Sequence, residues 1–84
     1  MKKLEEITAL FERCKQGDNE AWRGLGGKYE NLVYSTALRS GLSEEDSGEV
    51  HQQVWVELHR SMFRIKDPKA LPSWLITTTR RIAY

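Results

Sequence analysis

The sequence predicts an all-α fold: a compact bundle of three to four helices joined by short loops. Three observations lead there. Apolar residues recur at steps of three and four in successive segments, the period of a helix with one buried face. No segment alternates apolar and polar residues as a half-buried strand does. Glycine, proline and small polar residues fall between the periodic segments, where helices stop and start.

Leu4, Ile7, Phe11 and Cys14 mark one face of a first helix. Gly17 is its expected stop, and Asp18 the expected N-cap of the next helix. That second helix carries Trp22, Leu25, Tyr29, Leu32, Val33, Thr36 and Ala37 on one face. Gly24, Gly26 and Gly27 weaken it, because each glycine costs about 1 kcal/mol relative to alanine in a helix interior. They mark either a close helix crossing or a local break. Gly41 ends the helix. Ser43 then caps a third helix, followed by Glu44, Glu45 and Asp46, acids placed where the helix dipole favours them. Val50, Val54 and Leu58 form its buried stripe, with Trp55 and Met62 alongside. Phe63 to Lys66 should leave the helix as a surface loop, and Asp67-Pro68 is a turn or helix-start signal. Pro72 fits only the first turn of a fourth helix, whose expected core stripe is Leu71, Leu75, Thr78 or Thr79, and Ile82.

At 84 residues the chain allows one domain with a modest core. Charged residues make up 30 % and hydrophobic residues 39 %, a globular profile with no apolar run long enough to span a bilayer. Met1-Lys2-Lys3-Leu4-Glu5-Glu6 has no apolar stretch of the kind a signal peptide needs. Cys14 is the only cysteine, which excludes an internal disulfide and fits a cytoplasmic location. The net charge of +1 conceals an uneven distribution. Residues 1–62 carry a balance of −3 and residues 63–84 a balance of +4. The basic end could meet nucleic acid, and the acidic part a basic protein.

Catalytic and cofactor chemistry finds little support. His51 and His59 stand eight apart, with no cysteine or carboxylate at a convincing ligand spacing, so no metal site is expected. Gly24, Gly26 and Gly27 lack the strand and the Lys-Ser/Thr that give a phosphate loop its meaning. No Ser/His/Asp or Cys/His arrangement suggests a nucleophile. The chain is expected to be neither an enzyme nor a cofactor carrier.

Three blocks carry a resemblance. Residues 21–29, with Trp22, Leu25 and Tyr29, are followed by Val33-Tyr34 and Ala37. Residues 46–55 form an acidic, glutamine-containing stretch that includes Asp46, Glu49, Gln52 and Gln53. Asp67-Pro68 and residues 74–83 complete the set. In order and spacing these blocks resemble region 2, the promoter-melting domain, of bacterial RNA polymerase sigma factors of the extracytoplasmic-function type, over about residues 8 to 84. There are departures: Gln53 stands where the family often has Glu, Gly26 where it often has a second aromatic, and Arg81 where it often has Asn. The Gly26 difference should remove core mass. The family's second DNA-binding domain, which reads the −35 element, has no counterpart here, so the chain is expected to be a fragment of a longer sigma factor.

The resemblance implies two surfaces. Asp46, Glu49, Gln52 and Gln53 would face the coiled-coil of the largest subunit of core RNA polymerase. Their spacing of three and four puts them on one helix face. Phe63, Arg64, Lys66, Trp74, Thr77, Thr78, Arg80 and Arg81 would meet the melted −10 strand of promoter DNA, which needs cations for phosphate and rings for stacking. Trp74 and Phe63 could equally be core. Arg80 and Arg81 point to different sides of a helix. An anti-sigma protein is a further expected partner, and membrane insertion is not expected. One competing reading is a helical protein-interaction module with no DNA role, and a second is a helix-turn-helix domain reading duplex DNA, against which the broad apolar stripe of the last helix counts.

Overall fold

A computed structural model describes residues 2–84, with side chains from Glu6 onward. Four α-helices follow one another: α1 (Lys2–Lys15), α2 (Asn19–Arg39), α3 (Glu44–Ser61) and α4 (Leu71–Ala83). Two short 3₁₀ turns, Met62–Arg64 and Pro68–Ala70, join α3 to α4. The molecule is an all-α bundle measuring 34 × 25 × 21 Å, and α2 is its hub, packing against each of the other three helices.

The expected stops and caps are in place. Gly17 and Gly41 have φ values of +86° and +95°, the left-handed conformation that lets a chain turn away from a helix without a Cβ clash. Asp18 accepts hydrogen bonds from the backbone N–H of Glu20 at 3.0 Å and of Ala21 at 3.3 Å. The Arg13 guanidinium holds this carboxylate at 2.8 Å, and that bond, ahead of the capping bonds, lowers its pKa below the ordinary carboxylate value. Ser43 accepts from the N–H of Asp46 at 3.1 Å. Each cap satisfies donors that the first helical turn leaves without a partner.

Phe11, Leu25, Val33, Val54, Leu58, Met62, Leu71 and Leu75 are fully buried and form one core. The side chain of Leu4 lies outside the described residues. Cys14 is buried beneath the α1–α2 turn, where burial, then the nearby Asp18 charge, pushes its thiol up to about 11. The Trp22 indole N–H donates to the Cys14 carbonyl at 3.1 Å and so ties the end of α1 to α2. Both adjacent threonines of α4, Thr78 and Thr79, are buried, where the sequence asked for one.

The three glycines of α2 separate into two kinds. The helix runs through all of them without a break. A Cβ on Gly24 would stand 3.3 Å from Leu10 Cδ2, so this glycine marks the close crossing of α1. Cβ atoms on Gly26 or Gly27 would meet nothing within 4 Å. Gly26 in place of an aromatic leaves open space on the α2 side of a groove walled by Trp22 and Trp55. Gly26→Ala and Gly27→Ala should each stabilise the protein by about 0.5–1 kcal/mol, because the helix loses a flexible residue and nothing clashes. Gly24→Ala should gain less, since Leu10 must shift. Urea melts of the three variants check this ordering.

The groove beside Gly26 and Gly27 occupies about 400 Å³ between α2 and α3. Its walls are two aromatic pairs. The Trp22 and His59 rings stack with centroids 3.7 Å apart, and the Trp55 indole N–H donates to His51 Nε2 at 2.9 Å. An Nε2 that accepts a hydrogen bond belongs to a neutral ring. Burial, partly opposed by Glu30, lowers the His51 pKa in the same sense.

Candidate functional site

Asp46, Glu49, Gln52 and Gln53 are all exposed on α3. They stand opposite the buried stripe of Ser47, Val50, Val54 and Leu58, which holds the helix with this polar side outward. Neither Asp46 nor Glu49 joins an ion pair among the described residues, so both carboxylates are available to a cation from outside. Glu49, Gln52 and Gln53 line a shallow cleft of about 520 Å³ together with Val56, Glu57 and Ile82. Val56 is 53 % exposed there, an apolar contact point amid polar side chains. The sequence pattern missed Val56 because it lies off the buried stripe, and an exposed valine on a helix has no periodic signature.

Phe63 to Lys66 is not a simple loop. The 3₁₀ turn Met62–Arg64 tucks Met62 inward, and Ile65 returns to the core after it, with its N–H bonded to the Met62 carbonyl at 3.2 Å. Phe63, Arg64 and Lys66 project between and beyond these two anchors. The Phe63 ring is 70 % exposed, which removes the core alternative for it. It borders a cleft of about 330 Å³ shared with Lys15, Asn19, Trp22 and His59. Asp67 then accepts from the Lys69 N–H at 3.0 Å and starts the Pro68–Ala70 turn that leads into α4.

On α4 the expected set divides. Thr77, Arg80 and Arg81 are exposed, and Trp74 is half-buried, with part of its ring against the core. Thr78 is only 4 % exposed, and this corrects its assignment to the DNA-facing surface: its side chain packs inward and has no surface to offer a base or phosphate. Beside it, the Thr79 hydroxyl donates to the Leu75 carbonyl at 2.6 Å, the usual way a buried threonine hydroxyl is satisfied in a helix.

The arrangement thus places an acidic and amide face on α3, and a ring with several cations on the α3–α4 connection and α4. His51 and His59 serve as ring partners for Trp55 and Trp22. Among the described residues no three side chains gather as metal ligands, and no helix is long and apolar enough to cross a membrane.

Comparison of the sequence with known proteins matches it to a family. The Sigma-70 region 2 family model covers residues 27–84. The ECF RNA polymerase sigma-E factor of Haemophilus influenzae is 33 % identical over 73 residues, which is 84 % of this chain and 38 % of that protein. The chain therefore spans less than half the length of this relative. No solved structure is significantly similar to it. The match includes α3, the α3–α4 connection and α4, the elements that carry both candidate surfaces, and the chain belongs to the Sigma-70 region 2 family, with its similarity to the extracytoplasmic-function type.

Proposed function

We propose that this chain acts in transcription initiation as the part of a sigma factor that binds core RNA polymerase and melts the −10 promoter element. The observation that carries the reading is the division of labour between helices. One polar, acid-bearing face stands free on α3, while an exposed ring and a set of cations stand on the neighbouring connection and helix. Asp46, Glu49, Gln52 and Gln53 dock on the coiled-coil of the polymerase's largest subunit, with Val56 adding an apolar contact. Phe63, Arg64, Lys66, Thr77, Arg80 and Arg81 hold the melted strand, and Trp74 adds the exposed part of its ring. In this role the protein works in the cytoplasm and catalyses no reaction of its own. An anti-sigma protein would inhibit it by covering either surface.

Charge reversal tests the docking half. Glu49 is exposed and in no ion pair among the described residues, so Glu49→Lys should leave helicity and melting temperature nearly unchanged. It should weaken binding to core polymerase about tenfold, because it turns an attraction into a repulsion at the same position. A pull-down or anisotropy titration with core enzyme measures the change. Unaltered binding would remove α3 from the polymerase interface.

A further inference from the structure

Two rows of residues border the groove between α2 and α3. Trp22, Gly26 and Glu30 follow about one helical turn apart on α2, as His51, Trp55 and His59 do on α3. The Trp22 and His59 rings close one end by stacking. At the other end Glu30 and His51 also share a smaller cleft with Asn31 and Tyr34. Between the two ends Gly26 offers Trp55 no side chain, and a Cβ there would meet nothing within 4 Å. His51 holds the Trp55 indole, whose N–H donates to Nε2 at 2.9 Å. The imidazole is itself set between two rings, with centroids 5.9 Å from Trp55 and 6.0 Å from Tyr34. Tyr34 is fixed in turn, because its hydroxyl donates to the Glu44 carbonyl at 2.8 Å.

A half-buried tryptophan ordinarily finds an acceptor for its N–H, and that accounts for the bond. It does not account for an acceptor that one proton abolishes, set beside open space and an unpaired carboxylate. A protonated His51 carries N–H on both ring nitrogens, so Nε2 would meet the indole donor to donor and the bond would be lost. The indole then has room to turn over Gly26 and Gly27. The imidazolium has a counter-charge in Glu30, the one carboxylate lining the groove, which joins no ion pair among the described residues. The charged and titratable groups that face His51 are Arg23, Glu30 and Tyr34 on α2 and His59 on its own helix; no residue of α1 or α4 lines the groove. Burial, partly opposed by Glu30, lowers the His51 pKa, so the imidazolium forms only below the ordinary histidine value. Trp55 follows Gln52 at a step of three along α3, which puts the indole at the border of the face of Asp46, Glu49, Gln52 and Gln53. Tryptophan is a frequent anchor of protein interfaces.

We infer that His51 is a positioning residue for polymerase docking: when neutral it holds the Trp55 indole at the edge of the α3 face, and when protonated it turns to Glu30 and releases the indole, so that docking weakens in acid. The inference rests on the reading of α3 as the polymerase-facing helix, and adds to that face a control that its acids and amides do not supply.

Titration of the whole chain from about pH 8 to about pH 5 tests it, with circular dichroism confirming the fold at each step. In nitrogen-15 spectra of the unaltered chain, the indole signal that Trp55→Phe removes should move in step with the imidazole signal that His51→Gln removes. Glu30→Gln should bring the midpoint of that step to lower pH, because the carboxylate favours the imidazolium. Core-polymerase affinity, read by anisotropy of the labelled chain, should fall about tenfold across the range, the effect of one pKa unit between the free and docked chain. His51→Gln keeps an acceptor that does not titrate, so its affinity should change far less with pH, whatever its level at pH 8. Trp55→Phe should lose most of the pH-dependent fall as well. An indole signal that stays in place while His51 titrates would overturn the positioning role, and so would a full pH-dependent fall in Trp55→Phe, which would make the effect one of charge alone. Parallel affinity profiles for the unaltered chain and His51→Gln, with binding still weakened by Glu49→Lys, would overturn the switch and leave the docking of α3 standing. Absence of core binding by the unaltered chain at every pH would overturn both.

Discussion

If the proposed function holds, Phe63→Ala should lower affinity for single-stranded −10 DNA by about 1–3 kcal/mol, roughly 5- to 150-fold, with the fold intact and core-polymerase binding kept. The expectation follows from where the ring sits. At 70 % exposure it contributes little to the core, and the segment holding it is anchored by Met62 and Ile65 on either side. Truncating a side chain outside the core usually changes stability by less than about 0.5 kcal/mol. A base that has left the duplex needs a face to stack on, and extrusion itself costs a few kcal/mol. Losing the stack should therefore slow promoter opening more than it weakens attachment to polymerase. Lys66→Ala makes the contrast: it should weaken binding to all sequences alike and flatten the salt dependence, as removal of a phosphate contact does. Anisotropy with −10 and unrelated single strands, alongside core-polymerase binding, separates the two. Normal DNA binding by a folded Phe63→Ala protein would move the stacking role to the exposed part of Trp74.

The second large effect is on stability. Leu75→Ala should cost about 2–5 kcal/mol, the range for deleting a fully buried leucine whose surroundings collapse only in part. Leu75 has no exposed surface, and it sits on α4, which packs against both α2 and α3, so the cavity opens where three helices meet. A small domain is stable by only about 5–15 kcal/mol. The variant should therefore lose much of its margin, with a sharply lower melting temperature by circular dichroism. A loss below about 1 kcal/mol would mean that α4 is not seated as described. Truncation to alanine on the exposed side of α4, Thr77→Ala, should leave melting nearly unchanged.

The two surfaces were legible in the sequence to different degrees. The face of Asp46, Glu49, Gln52 and Gln53 needed only the helical period and the stripe of Val50, Val54 and Leu58 opposite it. Once that stripe is buried, the polar residues have nowhere to point but outward. The α4 surface was harder, because Thr77, Thr78 and Thr79 are identical neighbours. Successive residues of a helix are separated by about 100°, so one of the three faces out, but which one depends on how α4 is rolled against α2 and α3. Burial of Thr78 is a result of that roll. Phe63 was open in the sequence for a similar reason, since an aromatic after an apolar helix can close the core or project from it. Ile65 closes it instead.

What the sequence determined by itself is what neighbouring residues decide among themselves. Asp18 and Ser43 cap the helices that follow them, Gly17 and Gly41 release the helices that precede them, and Pro72 sets the first turn of α4. Each acts through backbone groups within a few residues, and spacing is enough to read it. Tertiary structure decided everything that depends on which helices meet. It placed Leu10 over Gly24 and left Gly26 and Gly27 facing a groove. It turned Thr78 inward and brought Arg39, from the end of α2, to the same cleft as Arg80. Periodicity tells which residues share a side of a helix, but not what that side will touch, because helix crossings are chosen by the packing of the whole core.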